Sequence, residues 1–304
     1  MTALLTLATA AAVGLGVLLW LGLGAPGLAA RTPAGGVMTV AERLEGLKIV
    51  LAVVAGIGAV VALTVAYRKQ RDGELAEYRE DAKAFSDRYG KAADQLGNAE
   101  HIVRVGGVHA LAELADEWEE GRQMCIDLLC AYLRMPYVAD PAAPDYSASN
   151  RQVRRTIIRV IRNHLRDGWS AVSWCGYRFS FEDAVFDGGD FTSARFAGGN
   201  VNFSKARFVS GTFYFNDVRF DGTPFWFDGA EFSGARVVFR GAIFKASHVS
   251  FKGAVLSGGT LDFDDARFEG GRVTFDGADH RGSTVTAARA TYSDGDVNWG
   301  SLPV

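Results

Sequence analysis

The sequence predicts an α+β multi-domain membrane protein: two N-terminal transmembrane helices, an α-helical middle domain and a C-terminal β-solenoid. Three observations carry that expectation. Two long apolar runs lie before residue 68, helical amphipathic spacing fills residues 72–168, and a strict repeat of large apolar residues follows residue 177. Repeats are sought first, because each unit of a repeat array buries its apolar face only against its neighbours.

Ala3 to Ala25 is apolar or small apart from Thr6 and Thr9, and as a helix it reaches ~34 Å, enough to cross a bilayer core. Ile49 to Tyr67 is a second run, free of charge and ~28 Å long. Arg68-Lys69-Gln70-Arg71 follows at once, and basic residues flanking a span resist translocation. Residues 1–71 are therefore expected to form a hairpin in the cytoplasmic membrane, multi-pass, with the bulk of the chain in the cytoplasm. The lipid bilayer is the first expected partner. Gly27-Leu28-Ala29 would suit signal-peptide cleavage, but Met1 to Leu5 carries no basic residue and the run exceeds an h-region of roughly 7–15 residues. Ala10-x-x-x-Gly14 and Ala52-x-x-x-Gly56 are small-xxx-small spacings that leave room for a homodimer.

The middle domain, residues 72–168, reads as amphipathic helices. Ile102, Val103, Val105, Val108, Leu111 and Leu114 follow helical spacing after Asn98-Ala99-Glu100. Met124 to Leu133 forms another helix, ended before Pro136, and Pro141 and Pro144 mark a linker. The last helix carries Val153, Ile157, Ile158, Val160, Ile161 and Leu165 beside six arginines: Arg151, Arg154, Arg155, Arg159, Arg162 and Arg166. Those arginines are candidates for contact with anionic lipid headgroups or a partner. The plainer expectation is a solvated face balanced by Glu113, Asp116, Glu117, Glu119 and Glu120.

In the C-terminal part Phe203, Phe215, Phe227, Phe239, Phe251, Phe263 and Phe275 recur every twelve residues. A second rail is Phe208, Phe220, Phe232, Phe244, Leu256 and Phe268; a third is Phe213, Phe225, Val237, Val249, Leu261 and Val273. Alanine sits three residues after the first rail, at Ala206, Ala230, Ala242, Ala254, Ala266 and Ala278, with Val218 the exception. The units Ala184-Val-Phe186, Ala194-Arg-Phe196, Ala206-Arg-Phe208, Ala230-Glu-Phe232, Ala242-Ile-Phe244 and Ala266-Arg-Phe268 resemble the pentapeptide-repeat family, written Ala-(Asp/Asn)-Leu-x-x with Phe allowed at the centre. The resemblance implies a right-handed quadrilateral β-helix over 177–283, small and large residues alternating inward, and Gly and Ala richness with Arg preferred over Lys suits a bacterial source. The chain departs from strict fives: its centres step five, five, then two. Twelve residues cannot circle a core of two phenylalanines and a valine, so a coil of two units is expected. Ala287 stands where the next phenylalanine would fall, and 284–304 is expected to be a cap or frayed tail.

Composition excludes more than it assigns. A net charge of −3 over 304 residues projects no global field toward nucleic acid. Three unpatterned cysteines imply no disulfide framework, and Cys125 and Cys130 fall on an apolar helix, where core packing is the expectation. His248 and His280 are expected to face solvent, and Asp262, Asp264 and Asp265 to be solvated rather than a cation site. No P-loop, Gly-x-Ser-x-Gly or His-Glu-x-x-His motif occurs, so no enzyme, cofactor or metal site is expected. Two functions remain. The first is a membrane-tethered scaffold presenting the solenoid to an unknown cytoplasmic protein. The second, implied by the resemblance, is a DNA-mimic type binder of a topoisomerase such as gyrase. A mimic needs an acidic face, yet from Tyr177 on there are 16 acidic against 13 basic side chains.

Overall fold

The computed structural model describes residues 39–166, 168 and 170–303, together with Gly14 and Gly16. Apart from those two glycines, the first expected span and the cleavage spacing lie outside the described residues. The chain divides into two compact units, 1–82 and 83–304.

The first unit is dominated by α1, Val40–Leu96, a single helix of 57 residues that continues into the second. Ile49, Leu51, Val53, Val54, Ile57, Val60, Leu63 and Val65 are all exposed on it. It is the one helix among the described residues long and apolar enough to cross a membrane, with a window of mean hydropathy 2.7 and no burial. Two such helices were expected; the described residues contain one. Nor does α1 stop at the basic cluster. Residues 68–96 are rich in Ala, Glu, Lys and Arg and free of proline, so nothing breaks the helix until Gly97-Asn98. Gly97 closes it by donating its backbone N–H to the Ala93 carbonyl at 3.0 Å.

In the second unit, α2 (His101–Glu117), α3 (Arg122–Arg134) and α4 (Ala148–Arg166) pack with the end of α1 around Leu96, Leu111, Ile126, Leu129, Ile157 and Ile161. Ser147 caps α4 by accepting the Asn150 N–H at 3.1 Å. This helical core and that of the solenoid are one continuous apolar cluster.

The solenoid is parallel throughout and makes about five turns. Its strands are short, running from β1 (Arg178–Ser180) to β19 (Thr291–Asn298). Phe208 lies in register with Phe232, and Phe232 with Leu256, a step of 24 residues per coil. The first coil is tighter: Arg178 pairs with Asn200, a step of 22. Two twelve-residue units thus make one coil with four strands. The strands stack in sheets of nine, five and five. The nine-stranded sheet joins two sides because β16 (Arg267–Thr274) runs straight through a corner, pairing with both β12 (Ile243–Lys245) and β13 (His248–Ser250).

The single phenylalanine ladder therefore divides into two columns. Phe203, Phe227, Phe251 and Phe275 stack face to face, at 5.0, 4.6 and 4.4 Å. Phe215, Phe239 and Phe263 form the other column, at 4.8 and 4.7 Å. These separations match the spacing of hydrogen-bonded strands, about 4.7–4.9 Å, so the backbone ladder dictates the ring stacking. Members adjacent in sequence meet edge to face across the axis, Phe227 and Phe239 at 6.2 Å and 89°. The edge-to-face contact is a favoured aromatic geometry, whereas the parallel stacking is set by the strand spacing.

Each first-rail residue opens a β-turn closed by the residue three positions on, an alanine everywhere but at Val218: Ala230 donates to Phe227 O and Ala254 to Phe251 O, both at 3.0 Å. The residue before that closing position has positive φ at Lys205, Asp217, Gly229, Gly241, Gly253, Asp265 and Gly277, the third-position conformation of a type II turn. A Cβ added at Gly253 would meet nothing within 4 Å. Gly253→Ala is accordingly expected to cost about 1 kcal/mol, all of it left-handed backbone strain, in a chemical unfolding curve. A loss beyond about 3 kcal/mol would mean that this corner is packed, contrary to its open surroundings.

The pairing also runs past the expected boundary at 283. Thr284–Thr286 and Thr291–Asn298 form strands, the latter in register with β16. Tyr292 stacks on Phe268 at 5.2 Å and Trp299 on Phe275 at 5.3 Å. The last coil is therefore continuous with the core, its columns finished by larger aromatics. His280 lies in register with Leu256 and is half-buried, its Nε2 2.6 Å from Ser283 O; His248 is half-buried beside Trp226. Neither faces solvent freely as expected.

Candidate functional site: an arginine groove at the capped end

A solenoid leaves its end coils with uncovered apolar faces and unpaired backbone groups. Here α3 and α4 cover the first coil with polar side chains. The Gln123 amide donates to Arg178 O at 2.9 Å and accepts the Arg178 N–H at 3.0 Å, standing in for a neighbouring strand on β1. Arg122, 4 % exposed, donates to the carbonyls of Ala115, Ala171 and Ser173. Arg154 is equally buried and donates to Leu133 O at 2.8 Å and to Val185 O at 2.6 Å, its guanidinium 4.3 Å from the Tyr137 ring centre. Burial pulls its pKa down from the usual arginine value, while Tyr137 and Asp187 pull the other way.

The structure separates the six arginines of α4. Arg154 is interior. Arg151 pairs with Asp187 and Arg162 with Asp190, both acids belonging to the first coil. Burial first, then a 2.9 Å hydrogen bond to Asp187, pushes the Tyr137 phenol well above its ordinary range, so it remains a donor. Arg155 and Arg159 are exposed and have no carboxylate partner among the described residues. Arg166 is exposed beyond them. Of the acids expected to balance this helix, Glu117 pairs instead with Arg88, and Asp116 lies 3.2 Å from His164 of α4 rather than beside one of its arginines.

Arg151, Arg155, Arg159 and Arg162 follow one another at steps of four, four and three, which places them along one face of α4. That face lines a cavity of about 440 Å³ whose opposite wall is the glycine-rich corner 187–190 with Gly211, Thr212 and Tyr214. Four arginines against Asp187 and Asp190 leave the lining with a net charge of +2. Like charges at i, i+4 destabilise a helix by about 0.2–0.5 kcal/mol per pair, so the two acids relieve only part of the repulsion. The Arg162 Nε is buried without a hydrogen-bond partner. The spacing of these arginines is visible in the sequence but the wall they face is not, because the acids lie 28 to 36 residues away.

Elsewhere the candidate groups are structural. Asp262 is 2 % exposed and bonded to Arg236 at 2.7 Å and Arg240 at 3.3 Å, and Asp265 is bonded to Arg289. The acidic trio is therefore paired with arginines, Asp262 buried, rather than simply solvated. Cys125 and Cys130 are buried, and burial pushes their thiols up to about 11 and about 12. Because the thiolate is the reactive form, a thiol-titrating reagent at neutral pH is expected to modify Cys175 first. The other two should react only on unfolding, and fast labelling of all three in the folded chain would contradict this packing.

Fold and site together define a parallel β-solenoid, consistent with pentapeptide-repeat architecture, whose first coil is closed by a helical cap. No protein-family model, curated protein or solved structure matches the chain.

Proposed function

We propose that this protein is a membrane-tethered, non-catalytic scaffold that presents its solenoid to a cytoplasmic protein partner. The observation that carries the reading is the unbroken α1, apolar and exposed over 49–65 and charged from Arg68 onward. An apolar surface of that length has no use in water, whereas a span followed by a basic cluster and a polar helix suits a tether. The solenoid supplies rigidity through its stacked core, and its outward positions are largely polar. Many of its acids are neutralised from the next coil, as in Arg207–Glu231, Arg195–Asp221 and Arg289–Asp265. That pairing supports a protein-binding surface over a duplex-DNA mimic, which needs unpaired negative charge.

The tether is tested by alkaline carbonate extraction of cell membranes, in which the full chain should stay in the pellet. Release into the supernatant would sink that half of the reading. The scaffold is tested by in-cell proximity labelling of the full chain against four variants, each with the outward charges of one solenoid side replaced by serine. At least one variant should lose a partner while melting normally. Unchanged partner sets for all four would place binding elsewhere. Truncation at residue 168 is a poor alternative, because cap and solenoid share one core.

A further inference from the structure

The geometry points to the groove between α4 and the first coils as a binding site for the phosphate group of an organic phosphate. Three independent features converge there. The first is charge: Arg155 and Arg159 project from one helix face with no carboxylate partner among the described residues, beside two arginines already anchored by Asp187 and Asp190. Anchored guanidinia are pre-organised, so less side-chain freedom is lost when an anion arrives. The second is an unmet donor. Arg162 gives its Nη1 to Asp190 and keeps a buried Nε–H with no acceptor, a group that normally finds one.

The third feature is volume. About 440 Å³ is within the range of sites for small organic ligands and much more than a bare phosphate fills. The remainder is bounded by Ile158 on the helix and by Tyr214, an exposed tyrosine on the opposite wall. An anionic head with a less polar body fits this division. Phosphate suits the head, because guanidinium forks bind it through paired, charge-assisted hydrogen bonds. Asp187 and Asp190 also set a limit. They repel an anion at Arg151 and at the Nη1 of Arg162, which leaves Arg155, Arg159 and the Arg162 Nε–H to receive the phosphate. This site uses only the outer surface of the first coils beside α4 and does not depend on the scaffold reading.

The same chemistry is offered by a soluble phosphate ester and by a phospholipid headgroup, and one experiment separates them. The full chain is placed in phosphatidylcholine nanodiscs and titrated calorimetrically with inorganic pyrophosphate. Saturable binding is expected, weakened about tenfold or more in the R155A/R159A double variant and partly restored in R155K/R159K. Both side chains are exposed, so the variants should melt like the parent chain. The titration is then repeated in nanodiscs containing phosphatidylglycerol. Undiminished affinity there assigns the groove to a soluble phosphate ester, and a marked loss assigns it to a lipid headgroup that competes. Absence of saturable binding in phosphatidylcholine, or equal affinity in R155A/R159A, overturns the proposal.

Discussion

Replacing Phe227 with alanine is expected to destabilise the chain by about 3–5 kcal/mol, the range for deleting a fully enclosed aromatic ring. Phe227 is wholly buried, with Phe203 stacked on one face at 5.0 Å and Phe251 on the other at 4.6 Å. Its edges meet Phe215 at 6.3 Å and Phe239 at 6.2 Å. The coil above and the coil below are held apart by their own hydrogen-bonded strands, so the gap cannot close by collapse. That rigidity puts the cost toward the upper end of the range. Trp299→Ala, at the end of the same column and partly exposed, should cost clearly less. Guanidinium unfolding of both variants, followed by far-UV circular dichroism, makes the comparison. Equal losses at the two positions would mean that the column is not a continuous stack.

Arg154→Met is expected to cost about 3 kcal/mol, although methionine keeps much of the side chain's volume. The substitution leaves Leu133 O and Val185 O without the donor they now share, and a buried unsatisfied carbonyl costs about 1–3 kcal/mol. It also removes the cation from the Tyr137 ring. Because these partners lie on α3, on the first coil and in the loop between, the damage should be local. Amide hydrogen exchange should rise near Val185 and at the end of α3 while the coils beyond Phe251 stay protected. Unchanged stability would show that the cap is held by its apolar contacts alone. Uniform loss of protection along the solenoid would show that cap and coils unfold as one cooperative unit.

How far each feature could be read in advance follows from the range of the forces behind it. The alternation of large and small inward residues was legible because burial imposes it on every unit. The turn at each Phe-x-x-Ala was legible in outline, since glycine recurs at its third position. The exposed apolar stretch of α1 was legible from composition, as was helix beyond residue 72, whereas the lack of any break between them was not. Basic residues at 68–71 mark a change of environment, and an α-helix crosses such a change freely when the residues beyond it are good helix formers.

The arginines of α4 show the opposite case. Their spacing along one helix face is a property of the chain, but Arg154 is buried only because α3 ends and the first coil begins on either side of it. A residue type that is almost never fully buried alone was therefore read as surface. The same holds for Asp262, whose burial depends on Arg236 and Arg240, 26 and 22 residues away.

By itself the sequence determined that this chain has a long apolar helix, a helical middle and a solenoid core of repeating phenylalanine. Local spacing and burial suffice for those. A coil of two twelve-residue units was expected as well, and the register bears it out; only the tertiary structure decided that the one ladder is two columns and that the last coil includes Trp299. A twelve-residue period is compatible with one turn or half a turn, and enclosing two ring columns at strand spacing requires the half turn. The tertiary structure alone also turned a row of arginines into a cap on one side and a groove on the other, because charge takes its role from what the fold brings opposite.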